Sequence, residues 1–149
     1  MFEFRTMDVE SPSEVKLILD FYRNNPSEYI VFDPDDELYT EDYTYYGMFD
    51  MDTNEMVAAT SIEEMTENLV TMWTTVVKSD RRGEGIGTLL NVEMIEHLKE
   101  LGYGKISSHI YVENLPSIVL KLKLGYIIEG TLRDHDKMGQ HEYVLNKTL

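Results

Sequence analysis

Arg82-Gly83-Glu84-Gly85-Ile86-Gly87-Thr88 is the stretch whose reading decides the fold. Before it runs Leu69-Val70-Thr71-Met72-Trp73-Thr74-Thr75-Val76-Val77, uncharged and rich in Val and Thr, as strands are. After it, the residues from Thr88 to Leu98 carry the apolar spacing of an amphipathic helix. A strand, a glycine turn and a helix N-terminus in that order build an anion site. The first amides of a helix lack an internal acceptor, and the macrodipole adds partial positive charge there. Glycines at alternate positions let the backbone approach a phosphate with no Cβ in the way. Arg81 and Arg82 add formal charge, so the expected ligand is a pyrophosphate.

Spacing removes two other phosphate loops. The P-loop needs a Lys after its last glycine, and Thr88 follows Gly87. The dinucleotide fingerprint places its glycines differently from 83, 85 and 87. What remains is Arg-x-x-Gly-x-Gly, from Arg82 to Gly87. A second motif lies downstream. Ile106 to Val112 reads as a strand, with Asn114 or Leu115 near a helix cap and Pro116 at a favoured first helical position. The helix runs from Ser117 to Leu124 and stops at Gly125, and Tyr126 starts the next strand.

These two motifs resemble those of the GCN5-related N-acetyltransferases, the GNAT superfamily. Arg82 to Gly87 is similar to its acyl-CoA pyrophosphate loop, and Asn114, Ser117, Gly125 and Tyr126 fall on its second motif. The likeness is strongest over Leu69 to Leu149; the N-terminal half follows it in strand order. It implies an α/β (α+β) fold: a central mixed, mostly antiparallel sheet of about seven strands, splayed between the fourth and fifth, with four flanking helices. It also implies acetyl-CoA as co-substrate. Backbone groups of Val76, Val77 and Lys78 would pair with the pantetheine arm as an added strand. The amides of Arg82, Gly83, Glu84, Gly85, Ile86, Gly87 and Thr88 would hold the pyrophosphate, with the Thr88 hydroxyl adding a bond. Asn114 and Ser117 complete the cofactor set.

The rest of the chain reads in the same order. Phe2 to Arg5 alternates as a first strand, and Ser11-Pro12-Ser13-Glu14 carries helix-start chemistry. Val15, Leu17, Ile18, Phe21 and Tyr22 give the helical stripe. Asp33 to Asp42 is a turn or a short second helix. Tyr43 to Phe49 and Met56 to Ile62 form a hairpin around Asp50-Met51-Asp52-Thr53-Asn54. A helix from Gly87 to Leu101 follows the loop. Asp134 to Gln140 is a polar turn, and His141 to Leu145 returns as the last strand.

Composition sets bounds on function. At 149 residues and 42% hydrophobic content the chain is expected to form one domain over 1–149. No apolar run of about twenty residues predicts a membrane span, and Met1-Phe2-Glu3-Phe4-Arg5 lacks signal-peptide character, so the default location is cytoplasmic. With no Cys there are no disulfides, thiolate ligands or cysteine nucleophile. His97, His109, His135 and His141 show no metal-ligand spacing, so no metal is expected. The net charge of −15 disfavours nucleic acid. Residues 1–68 hold 18 acidic and 3 basic side chains, whereas residues 69–149 hold 10 of each. The imbalance belongs to the half without the loop, and a uniformly acidic shell would repel polyanionic CoA.

Acyl transfer to an amine needs a neutral amine, a polarised thioester and a proton for the leaving thiolate. In a ternary complex the amine attacks directly, and no enzyme nucleophile is required. Many members of the family place a Tyr seven residues after the motif Asn as that acid. Here the position is Lys121, a departure from the pattern. No carboxylate lies between Leu69 and Val77, so a base comes from elsewhere, with His109 and Glu113 as candidates. Glu63 and Glu64 are placed to hold a cationic amine, and Tyr43, Tyr45 and Tyr46 to line an acceptor pocket. The resemblance thus implies an acetyl-CoA-dependent N-acetyltransferase acting on a small-molecule amine or a peptide, a cationic small amine being favoured by the acidic half. The alternatives are a protein N-terminal or lysine acetyltransferase and a non-catalytic acyl-CoA-binding module. A homodimer is compatible with either.

Overall fold

Alternating and β-branched segments form seven strands among the described residues, and amphipathic segments form helices. The computed structural model describes residues 1–29, 37, 38 and 40–149. In chain order the elements are β1 (Phe2–Thr6), α1 (Pro12–Asn24), β2 (Tyr43–Asp50), β3 (Glu55–Glu64), β4 (Leu69–Val77), α2 (Ile86–Glu100), β5 (Lys105–Tyr111), α3 (Leu115–Lys123), β6 (Ile127–Leu132) and β7 (Glu142–Thr148). A short 3₁₀ turn at Ser79–Arg81 separates β4 from α2. The sheet order is β1-β2-β3-β4-β5-β7-β6. β1–β2, β2–β3, β5–β7 and β6–β7 run antiparallel, and β4–β5 runs parallel. This is a mixed α+β fold with a seven-stranded sheet.

Three α-helices stand among the described residues, not four. The fourth was expected between Asp33 and Asp42, half of which lies outside the described residues. Glu37, Leu38 and residues 40–42 are not helical.

The chain forms two compact units: Met1–Glu63 with Trp73–Met94, and Glu64–Met72 with Ile95–Leu149. The core of the first unit gathers Met7, Ile18, Phe21, Tyr22, Tyr45, Phe49, Met56, Ala59 and Val76. α1 contributes Ile18, Phe21 and Tyr22, the apolar face predicted by spacing. In the second unit Val70, Met72, Leu98, Ile106, Ile110, Ile118, Tyr126 and Leu145 are buried. Its β4–β5 ladder is short, pairing Leu69 with Lys105, Val70 with Ile106 and Thr71 with Ser107, while β5 stays in register with β7 to Tyr111.

β4 is distorted beyond Met72. Thr74 has φ 42°, a left-handed conformation unusual for a β-branched residue. Side chains take up the carbonyls this frees. The Tyr22 hydroxyl donates to the Thr74 carbonyl at 2.9 Å, and the hydroxyls of Thr60 and Ser61 donate to that of Trp73 at 3.1 and 3.4 Å. Burial pushes the Tyr22 phenol pKa far up, so it stays a donor.

Candidate active site

The loop after β4 belongs to the first unit. Arg82 is extended, Gly83 and Gly85 are left-handed with φ 84° and 83°, and α2 begins at Ile86. A Cβ built on either glycine would meet nothing within 4 Å, so the turn presents open space. The first α2 bond beyond the turn runs from the Leu89 amide to the Gly85 carbonyl at 3.1 Å. The amides of Ile86, Gly87 and Thr88 precede it and have no intrahelical acceptor. Unfilled donors beside two open glycines fit a diphosphate by chemistry and by space.

The arginines behave differently from the expectation that both add charge toward a phosphate. Arg81 binds Asp50 at 3.0 Å and Glu84 at 2.9 Å, and these two carboxylates, Glu84 first, raise its pKa. Its charge is spent on one carboxylate at the end of β2 and one in the loop. Arg82 turns back onto backbone carbonyls: Val77 at 3.2 Å, Pro26 at 3.1 Å and Asn25 at 3.5 Å. Carbonyls leave its charge unneutralised, so Arg82 both anchors the loop and keeps it positive.

Asn25 was not picked out from the sequence. It is buried at the end of α1, where its side-chain amide donates to the Phe21 carbonyl at 2.7 Å and its Oδ1 accepts from the Ser79 amide at 2.9 Å. It ties the helix end to the loop across 54 positions, a separation no local pattern reveals. The Lys78 amide donates to the Val57 carbonyl at 2.8 Å, and its ammonium bridges Asp80 and Glu55 at 3.3 and 3.5 Å. Those two carboxylates, Asp80 first, raise its pKa. Val76 is buried and Val77 half-buried at the end of β4.

Asn114, Ser117, Lys121, His109 and Glu113 belong to the second unit. Asn114 is the N-cap of α3, and its Oδ1 accepts from the Ser117 amide at 3.4 Å. Lys121 stands on α3 at the position where the family pattern has its acid. It is 6% exposed, with Nζ 3.5 Å from the Met72 sulfur and 4.7 Å from the centre of the Tyr126 ring. Burial lowers its pKa to about 7. The Tyr126 phenol is also buried, which raises its pKa.

His109 is half-buried on β5, edge-on to His135 at 6.3 Å. Burial, then His135, holds its pKa below the ordinary imidazole value, so it is a neutral acceptor at pH 7. Glu113 is exposed in the turn before α3. Glu63 and Glu64 end β3, the first in one unit and the second in the other. Glu64 accepts from the Tyr103 hydroxyl. Tyr45 is buried in the first core, with its ring beside that of Tyr43.

The sequence profile of the acetyltransferase (GNAT) family matches residues 9–126. No curated protein matches the chain. Among solved structures, an acetyltransferase of the GNAT family from Streptococcus pneumoniae superposes with a TM-score of 0.82 at 16% identity, covering 100% of this chain and 99% of that one. The ribosomal-protein-S18-alanine N-acetyltransferase of Escherichia coli gives 0.80 at 13% identity, covering 99% and 94%. Mutant forms of the spermidine/spermine N-acetyltransferase of Vibrio cholerae give 0.79 at 14%, covering 99% and 93%. At these identities the structures speak for the fold, and the family profile, which spans both motifs, speaks for the chemistry. The chain belongs to the acetyltransferase (GNAT) family and is an acetyl-CoA-dependent N-acetyltransferase.

Proposed function

We propose that this enzyme transfers the acetyl group of acetyl-CoA to a primary amine of a cationic small molecule, by direct attack in a ternary complex and as a single domain over 1–149. The observation that carries the catalytic part is Lys121, buried and titrating near neutrality where the family pattern places its acid. An acid with a pKa near the working pH is matched to protonating a departing thiolate. Acetyl-CoA supplies the activated acyl group. The loop residues Arg82 to Thr88 hold its diphosphate by amides, the backbone of Val76 to Lys78 pairs with its pantetheine arm, and Asn114 and Ser117 serve its distal end. Lys121 delivers the proton to sulfur, and His109 or Glu113 accepts the proton of the amine.

The acceptor class rests on charge. Fifteen excess negative charges lie in residues 1–68, and Glu63 is the next-to-last residue of β3 there. A cationic amine is drawn to such a surface. By their names, two of the structural neighbours act on an alanine of ribosomal protein S18 and on spermidine and spermine. A thiol-release screen across polyamines, neutral amines, acidic amines and peptides separates these. Preferred turnover of the cationic small amines is the expected result. Turnover confined to peptides would shift the reading to protein acetylation. Tight acetyl-CoA binding with no thiol release on any amine would make the chain a binding module.

A further inference from the structure

Glu142 opens β7, in register with Tyr111 of β5 and Leu132 of β6. Its side chain is only 4% exposed, and its Oε2 has no hydrogen-bond partner among the described residues. A buried carboxylate oxygen with neither donor nor cation is strongly unfavourable. Facing it, on the turn that joins β6 to β7, stand His135 and Asp136, both exposed. One ligand atom from each of the three residues lies within 4.8 Å of the other two. Among the described residues no Lys or Arg forms an ion pair with Asp136 or Glu142. Two carboxylates in this position repel each other unless a shared proton or a cation lies between them.

We propose that His135, Asp136 and Glu142 form a binding site for a divalent transition-metal cation of the zinc class. One imidazole and two carboxylates are a nitrogen–oxygen set that suits such an ion better than magnesium or calcium, which favour oxygen alone. Two carboxylates with a neutral imidazole balance a 2+ charge. Ligand atoms around tetrahedral zinc lie about 3.3 Å apart, so the set need contract by no more than roughly 1.5 Å. The exposed His135 and Asp136 can supply that movement while Glu142 stays anchored in the sheet. The fourth position goes to water, with the His109 ring next in line beside His135. The bound ion fastens the turn to the start of β7. No local spacing of histidines announces the site, because its ligands come from a turn apex and the first residue of the following strand.

The test is calorimetric titration of the purified full chain with zinc chloride, repeated with magnesium chloride, and with cobalt chloride read by visible absorption. Saturable binding of one zinc ion is expected, with magnesium at least about 100-fold weaker. His135→Ala sits on an exposed position where folding is safe, and it should weaken zinc at least about tenfold, as should Glu142→Gln. His97→Ala on α2 should leave affinity unchanged. Absence of saturable zinc binding, equal affinity for magnesium, or undiminished zinc affinity in both site variants would each overturn the assignment.

Discussion

Lys121 is where a single side chain carries most of the consequence. An ammonium removed from water is destabilised relative to the amine, and burial lowers its pKa from 10.5 to about 7. Acting as the acid, it must enter the reaction protonated, so kcat should fall as pH rises through about 7. Lys121→Met should lower kcat about 100-fold, leave KM for acetyl-CoA unchanged and abolish that limb of the pH profile. Stability carries its own signature. Between about 7 and 10.5 the unfolded chain binds a proton at Lys121 that the folded one does not. The stability Lys121 contributes is therefore full above 10.5 and lost as pH falls through about 7. Denaturant titrations across that window should show stability rising with pH in the native chain and a flatter profile in Lys121→Met. Gly85 is the second decisive residue. Any side chain there meets the left-handed penalty of about 1 kcal/mol, but only a large acidic one invades the phosphate space. Gly85→Glu should abolish acetyl-CoA binding by calorimetry. Gly102→Ala, with the same backbone sign at φ 91° and equally open space, should keep it.

At the scale of the element, α3 shows how structural and functional roles overlap. Asn114 caps the helix through the Ser117 amide, and removing a cap costs about 1 kcal/mol. Asn114→Ala should therefore lower the melting temperature and raise KM for acetyl-CoA together. Asn114→Asp keeps the capping oxygen and exchanges the amide donor for a negative charge, so it should raise KM without lowering the melting temperature. If KM also stays unchanged, the residue is only a cap. Most elements were legible in the sequence because their causes are local. β4 falls on Leu69–Val77, the range its composition predicts, and the Pro116 and Gly125 signals bracket α3 correctly. The kink inside β4 was not legible. Thr74 is held left-handed by hydroxyls from Tyr22 on α1 and from its β3 neighbours, partners far away in sequence.

Across the whole molecule, charge is unevenly spread and its effects are testable by salt. Raising the salt from about 0.05 to about 0.5 M shortens the screening length to below about 5 Å. KM for a cationic acceptor should then rise several-fold while that for a neutral amine stays constant, measured by thiol release. No helix among the described residues is long and apolar enough to cross a membrane. The sequence by itself determined the strand–loop–helix order, the glycine positions of the loop, the cap and stop of α3, and the family. These depend on backbone propensity and on interactions a few residues apart. Tertiary structure alone decided that Arg81 spends its charge on Asp50 and Glu84, that Asn25 straps the loop to α1, and that Lys121 is buried against Met72 and Tyr126. The physical reason is the same in each case. Desolvation and ion pairing depend on which distant residues become neighbours, and a titrating lysine reads as an ordinary basic residue until its surroundings exclude water.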